Sequence, residues 1–201
     1  MYRIISGRWK SKRISAPKNF NVRPTTDFAK EALFSIIENR FNIDMTASSV
    51  LDLFAGIGSV SLEFASRGCQ DVTSVELNAK HAAFISTTAA DLEMALQVNV
   101  QRGDVFDYLK KNRGRKSYDI VMADPPFDTD AKKYAELIDW VLNNAYVKPG
   151  GIFILEHQSR QKFEHPNLLD TRKYGNVSFS FYSANMEATE ETAGENLTIN
   201  P

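Results

Sequence analysis

The chain has 201 residues, 43% of them hydrophobic and 24% charged, which suits one well-buried domain and leaves little room for a second. The single cysteine, Cys69, excludes an intramolecular disulfide, and three scattered histidines (His81, His157, His165) offer no zinc-site spacing, so no metal is expected. Basic and acidic residues number 24 and 25, for a net charge of −1; no opening segment resembles a signal peptide and no apolar run approaches the roughly 20 residues that span a bilayer, so a cytoplasmic location away from membranes is expected.

The near-zero net charge hides an asymmetry. Residues 1–26 carry Arg3, Arg8, Lys10, Lys12, Arg13, Lys18 and Arg23 and no acid, interleaved with Tyr2, Trp9 and Phe20. Cations for phosphates and aromatics for bases make this segment a candidate RNA-binding arm, with Arg3, Arg8, Trp9, Lys10, Lys12 and Arg13 as contacts. A solvated strand pair with snorkelling side chains fits the same composition, and Tyr2 and Trp9 fit the core of a small hairpin equally well. Next, Thr25-Thr26-Asp27 precedes Ala29, Ala32, Leu33, Ile36, Ile37 and Phe41 at helical spacing, which predicts an amphipathic helix over 27–41 that covers a central sheet. Strand-like and helix-like runs then alternate: strand 49–53, helix 59–67, strand 71–76, helix 79–95, strand 98–102, helix 105–111, strand 119–123, helix 132–144 and strand 151–156. Segments 168–174 and 177–182, split by Gly175-Asn176, read as a terminal antiparallel hairpin. Strands separated by helices of this length argue for an α/β domain over 27–183, a mostly parallel sheet with helices on both faces. Residues 184–201 carry Glu187, Glu190, Glu191 and Glu195, no base and no apolar periodicity, and form an acidic tail expected to be disordered.

Motifs cluster where these strands end. After the first strand comes Asp52-Leu53-Phe54-Ala55-Gly56-Ile57-Gly58-Ser59, whose two glycines let the backbone turn sharply and approach a ligand at a helix N-terminus. Asp52, Phe54, Ala55, Gly56 and Gly58 are therefore candidate ligand contacts. Glu76, twenty residues after Gly56, is suited to the hydroxyls of a ribose, with Leu77 beside it. Asp104 is suited to an adenine amine, with Val105 against the ring. The fourth motif is the sharpest: the apolar run 118–123 ends in Asp124-Pro125-Pro126-Phe127. Two prolines supply no N–H and force the chain out of the sheet, which leaves their carbonyls free as acceptors. A carboxylate, a free carbonyl and an aromatic face suit a planar group bearing an NH2, such as a nucleobase. Alone, the same four residues also fit a rigid turn with Phe127 packed beneath it.

A nicotinamide dinucleotide would compete for such a crevice. In its fingerprint a third small residue follows three positions after the second glycine, and here Ser61 takes that place. Asp52 would also repel a pyrophosphate, whereas it would welcome the ammonium of an aminoacyl cofactor such as S-adenosylmethionine.

Asp-x-Phe-x-Gly-x-Gly at 52–58, Glu76, Gly103-Asp104 and Asp124-Pro125-Pro126-Phe127 resemble the successive motifs of class I S-adenosylmethionine-dependent amino-methyltransferases. More narrowly, Ile4-Ile5-Ser6-Gly7-Arg8-Trp9-Lys10, then Arg23-Pro24-Thr25-Thr26-Asp27 and Lys30-Glu31-Ala32-Leu33-Phe34, resemble the RsmD family over about residues 1–183. Ser6 and Ser11 stand where that family usually shows glycines. The resemblance implies a Rossmann-like fold with a seven-stranded sheet and methylation of N2 of one guanine in bacterial 16S rRNA, on the small subunit or an assembly intermediate. It also implies S-adenosylmethionine as cofactor, with Arg23 and Thr25 near it; no metal, no obligate protein partner and a monomer are expected. Asp124, Pro125, Pro126 and Phe127 would then hold the target base. An adenine-N6 methyltransferase of DNA or RNA shares the strand-end motif, and a non-catalytic RNA-binding protein on the same scaffold is the third reading.

Overall fold

A computed structural model describes residues 1–20 and 25–184. Its centre is a set of strands rich in apolar residues: β3 (Ser49–Leu53), β4 (Asp71–Glu76), β5 (Val98–Arg102), β6 (Tyr118–Ala123) and β7 (Val147–Gln158). They pair in parallel, and β8 (Leu168–Tyr174) and β9 (Val177–Ser183) complete a seven-stranded sheet of order β5-β4-β3-β6-β7-β9-β8. Only β9 runs against the others, inserted between β7 and β8. The strand order reverses between β3 and β6, which opens a crevice above their carboxyl ends.

Period-two alternation divides the sheet's side chains between two cores. Val50, Val72, Ile120, Met122, Ile152 and Ile154 point to one face, where α1 (Asp27–Asn39), α2 (Ser59–Ser66) and α3 (Ala79–Asp91) cover them. Leu51, Leu53, Val75, Val121, Phe153 and Leu155 point to the other, under α4 (Val105–Asn112) and α5 (Ala131–Asn143). The predicted architecture and strand positions therefore hold, with shifts at the ends. The helix predicted to reach residue 95 stops at Asp91, because Glu93 takes a left-handed φ of 53° and Met94 N–H closes back on the Ala89 carbonyl at 2.7 Å. Strand β7 extends four residues earlier and two later than 151–156.

Helix α1 buries a charged residue beside its apolar stripe: Lys30 is fully buried. Its ammonium donates to the Arg3 carbonyl at 2.6 Å and lies 3.6 Å from Glu63 of α2, which is equally buried. Glu63 in turn accepts the backbone N–H groups of Ile5 (2.7 Å) and Ser6 (2.9 Å) and pairs with Arg67 (2.9 Å). This network anchors the N-terminal segment, whose strands β1 (Tyr2–Arg3) and β2 (Arg13–Ile14) pair antiparallel. Tyr2, Ile4 and Ile14 are buried, and the Tyr2 hydroxyl donates to the Ile57 carbonyl at 2.9 Å. The basic segment is thus docked on α2 with its cations outward. The acidic stretch 185–201 and Arg23 lie outside the described residues.

Gly7 is indispensable to that docking. Its φ is +81°, and a Cβ there would sit 1.8 Å from the Ser66 carbonyl oxygen. We predict that Gly7→Val destabilises the protein by about 2 kcal/mol or more. Hydrogen exchange should show the amides of Ile5, Ser6 and Arg8 losing protection while those of β3 and β6 keep theirs; unchanged protection at residues 5–8 would contradict the docking.

Candidate active site

The carboxyl ends of β3, β4, β6 and β7, the start of α1 and the β8–β9 turn enclose a cavity of about 1020 Å³. Each wall follows from local sequence. On β3, Asp52 is buried, and its carboxylate accepts from the Ser61 hydroxyl of α2, which itself accepts from Ser74 at 2.7 Å. Ser61, the residue that spoils the dinucleotide fingerprint, is therefore the partner of Asp52. Phe54 next adopts a φ of +63°, a costly conformation for a bulky residue, and turns the chain across the cavity wall. Gly58, at φ +77°, caps α2 and lets α3 approach: a Cβ there would lie 2.9 Å from Ile85.

Glu76, at the end of β4, accepts Gly56 N–H at 2.8 Å on one oxygen and Asn78 N–H at 2.7 Å on the other. Both bonds fix the carboxylate at the cavity wall while each oxygen retains a lone pair. Leu77 is exposed at the rim and Ala55 and Val105 are buried in the wall. Asp104 caps α4 by accepting Asp107 N–H at 3.0 Å on Oδ1, so only part of its acceptor capacity is open to a ligand.

On β6 the ladder runs one step past the strand, with Asp124 N–H donating to the Leu53 carbonyl at 3.3 Å. The prolines then turn the chain away. The expectation that both proline carbonyls are free needs correction: Pro126 accepts Thr129 N–H at 2.9 Å, whereas Pro125 accepts no backbone hydrogen bond from the described residues. Phe127 is 39% exposed at the cavity mouth, with its carbonyl held by Gln158 at 2.8 Å, and is not packed beneath the turn.

Glu156 is the residue that sequence reasoning undervalued. A strand-terminal acid ordinarily reads as solvated, yet Glu156 is 3% exposed and lines the same cavity. Thr25 donates to its Oε2 at 3.0 Å. Its signal was present, since it follows the apolar run Ile152–Leu155 just as Asp124 follows its own. Phe28 was likewise missed: it falls off the apolar stripe of α1, is 70% exposed, and meets Tyr174 edge-on at 5.9 Å at the cavity wall.

Asp52, Asp124 and Glu156 make no ion pair with any described residue. Burial pushes Asp52 up to about 7 against the Ser61 hydrogen bonds, which favour the charged form. Burial also raises Glu156 to about 7, against the Thr25 hydrogen bond and with the charge of Asp52 adding to the rise. Asp124 is held well above the usual carboxylate range by burial and then by the charges of Glu156 and Asp52. Such a cavity favours a cationic ligand that carries hydroxyls and a planar ring.

Of the arm residues, Arg3 pairs with Asp27 at 3.1 Å and Arg8 with Glu93. Trp9 is half-buried against the core with the Arg8 guanidinium 5.3 Å from its ring, which favours the hairpin-core reading of this side chain. Lys10, Lys12 and Arg13 are exposed and make no ion pair with a described residue. No helix of the described residues is long and apolar enough to cross a membrane.

The family model described as conserved hypothetical protein 95 matches residues 2–183. The chain is 32% identical over 184 residues to a protein of Buchnera aphidicola (subsp. Baizongia pistaciae) named ribosomal RNA small subunit methyltransferase D, covering 89% of this chain and 90% of that one. It is similar to the crystal structure of a putative methylase from Haemophilus influenzae, with a TM-score of 0.72, 28% identity, and coverage of 90% and 97%. It shares its fold with an RNA methyltransferase from Salinibacter ruber solved with S-adenosylhomocysteine, at a TM-score of 0.62, 14% identity, and coverage of 84% and 97%.

The raised carboxylates make stability depend on pH. Between the ordinary carboxylate range and about 7 the folded chain holds protons that the unfolded chain releases, so this stabilisation is complete at low pH and is lost as pH rises through about 7. The melting temperature of the ligand-free protein should therefore fall between about pH 5 and pH 8, and Glu156→Gln should flatten the fall; the same slope in both proteins would show that Glu156 titrates normally.

Proposed function

The chain belongs to the family described as conserved hypothetical protein 95, the RsmD family, and from that premise we propose that it transfers a methyl group from S-adenosylmethionine to N2 of a guanine in 16S rRNA. The substrate in this reading is the small ribosomal subunit or an intermediate in its assembly. The observation that carries it is the juxtaposition at the cavity mouth of the Asp124 carboxylate, the open Pro125 carbonyl and the exposed ring of Phe127.

The cavity suits the cofactor on its own terms. Asp52 lies where an ammonium would offset its buried charge, Glu76 keeps lone pairs for ribose hydroxyls, and Asp104 keeps an oxygen for an adenine amine beside Val105. Thr25, through Glu156, belongs to the same wall, and Arg23 is assigned to it by family resemblance alone. When bound, the cofactor supplies an electrophilic methyl on a sulfonium.

A guanine N2 lone pair is delocalised into the ring, so the amine must be oriented toward the methyl. Asp124 and the Pro125 carbonyl accept its two hydrogens and fix that orientation, while Phe127 stacks on the base drawn out of its helix or loop. Asp124 or water takes the proton that N2 loses. Lys10, Lys12 and Arg13 are open to phosphates, and Arg3 and Arg8 exchange acidic partners for phosphates when RNA binds; Trp9 supports the arm from beneath.

Labelled S-adenosylmethionine, small subunits from a strain lacking this enzyme, and nucleoside analysis test the assignment. N2-methylguanosine is the expected sole product, and N6-methyladenosine would overturn it. Asp124→Ala should lower turnover by at least about 100-fold with cofactor affinity changed less than about threefold; turnover like that of the parent protein would remove Asp124 from the chemistry.

A further inference from the structure

We propose that Glu156 reads the N1–H of the target base and so makes the cavity select guanine over purines that lack this donor, an inference that rests on the guanine-N2 reading above. The placement comes from register. Ala123 of β6 pairs with Leu155 of β7, so the next residues, Asp124 and Glu156, stand on neighbouring strands about 4.8 Å apart with side chains on the same side of the sheet. Both line one cavity, and the charge of Glu156 adds to burial in raising the proton affinity of Asp124.

Two acidic acceptors side by side are more than an NH2 group needs, because the Pro125 carbonyl already stands beside Asp124. The Watson–Crick edge of guanine supplies the third donor: N1–H lies next to the N2 amine. Adenine presents a bare N1 lone pair at the corresponding place, which a carboxylate repels. Thr25 fixes the orientation of Glu156. Its hydroxyl donates to Oε2 at 3.0 Å, and Oε1 accepts nothing from the described residues. One oxygen is therefore tied to the chain and the other is available to a ligand. Burial raises the proton affinity of Glu156, and a donor that arrives with the substrate favours its ionised form.

Glu156 acts on positioning and specificity, since the transferred methyl and the amine are held by other groups. The test uses 2-aminopurine, which keeps the reacting amine and has an unprotonated N1. The target guanine is first located by labelled methyl transfer, and small subunits are then reconstituted with guanine or 2-aminopurine at that nucleotide. The parent protein should prefer guanine by roughly 10- to 100-fold in kcat/KM. In Glu156→Gln, Thr25 holds the amide oxygen and the amide NH2 faces the cavity as a donor to N1. The preference should then fall tenfold or more through a gain on 2-aminopurine, a crossover that a merely structural role would not produce. Comparing the ratio between the two proteins cancels the effect of the missing O6. Equal use of both bases by the parent protein, or an equal loss on both in the variant, would overturn the proposal. Failure of the parent protein to form any N2-methylguanosine would instead overturn the reading on which it rests. Far-UV circular dichroism like that of the parent protein verifies that the variant is folded.

Discussion

Parallel pairing in register is the constraint on which the site depends. Because β3 pairs in parallel with β4 on one side and β6 on the other, and β6 with β7, all four strands deliver their last residues to the same edge. Four acids, Asp52, Glu76, Asp124 and Glu156, come from four separate stretches of sequence, and no local structure could bring them together. A slip of one residue in any pair would turn that acid onto the opposite face and into an apolar core. The two cores therefore protect the site: any such slip would bury a carboxylate among Leu, Val and Tyr side chains and expose apolar ones.

A second set of buried charges solves a different problem. Lys30 and Glu63 are both fully buried, and burial depresses the lysine's proton affinity more than the glutamate beside it raises it. Such a pair adds little to stability compared with apolar residues of the same shape, but either partner alone would be severely destabilising. Its return lies in direction. Glu63 accepts from two arm amides and Lys30 donates to the Arg3 carbonyl, so the pair fixes where a short two-stranded arm lies, a task for which burial of Tyr2, Ile4 and Ile14 is too isotropic. The same lysine reaches Ser59 at 3.3 Å, at the start of the helix whose N-terminus faces the cavity.

The strands and the helix sequence were legible because each element carries its own periodicity, and the glycine and proline punctuation between them is strong. Element ends were less so. Helix α3 stops at a left-handed Glu93, where the usual glycine signal is missing. Asp52, Glu76, Asp104 and Asp124 could be singled out because motif spacing marks them. Glu156 carried a weaker signal, since an acid after an apolar run is solvated at an exposed strand end and functional at a shared edge, and register distinguishes the two. Lys30 and Ser61 were opaque for a similar reason. Each is explained by a partner, Glu63 or Asp52, whose proximity belongs to packing and leaves no trace in local composition.

The docking of the arm also imposes an order on the birth of the molecule. Tyr2, Ile5 and Ser6 leave the ribosome ahead of their partners Ile57 and Glu63, which lie 55 to 58 residues further along. At synthesis rates of about 5–20 residues per second, the arm waits roughly 3 to 12 s before its anchors exist. During that interval the arm lacks the acceptors that dock it in the folded chain. Docking of the arm therefore waits on the folding of α2, which supplies Glu63 and Ser66 as its acceptors.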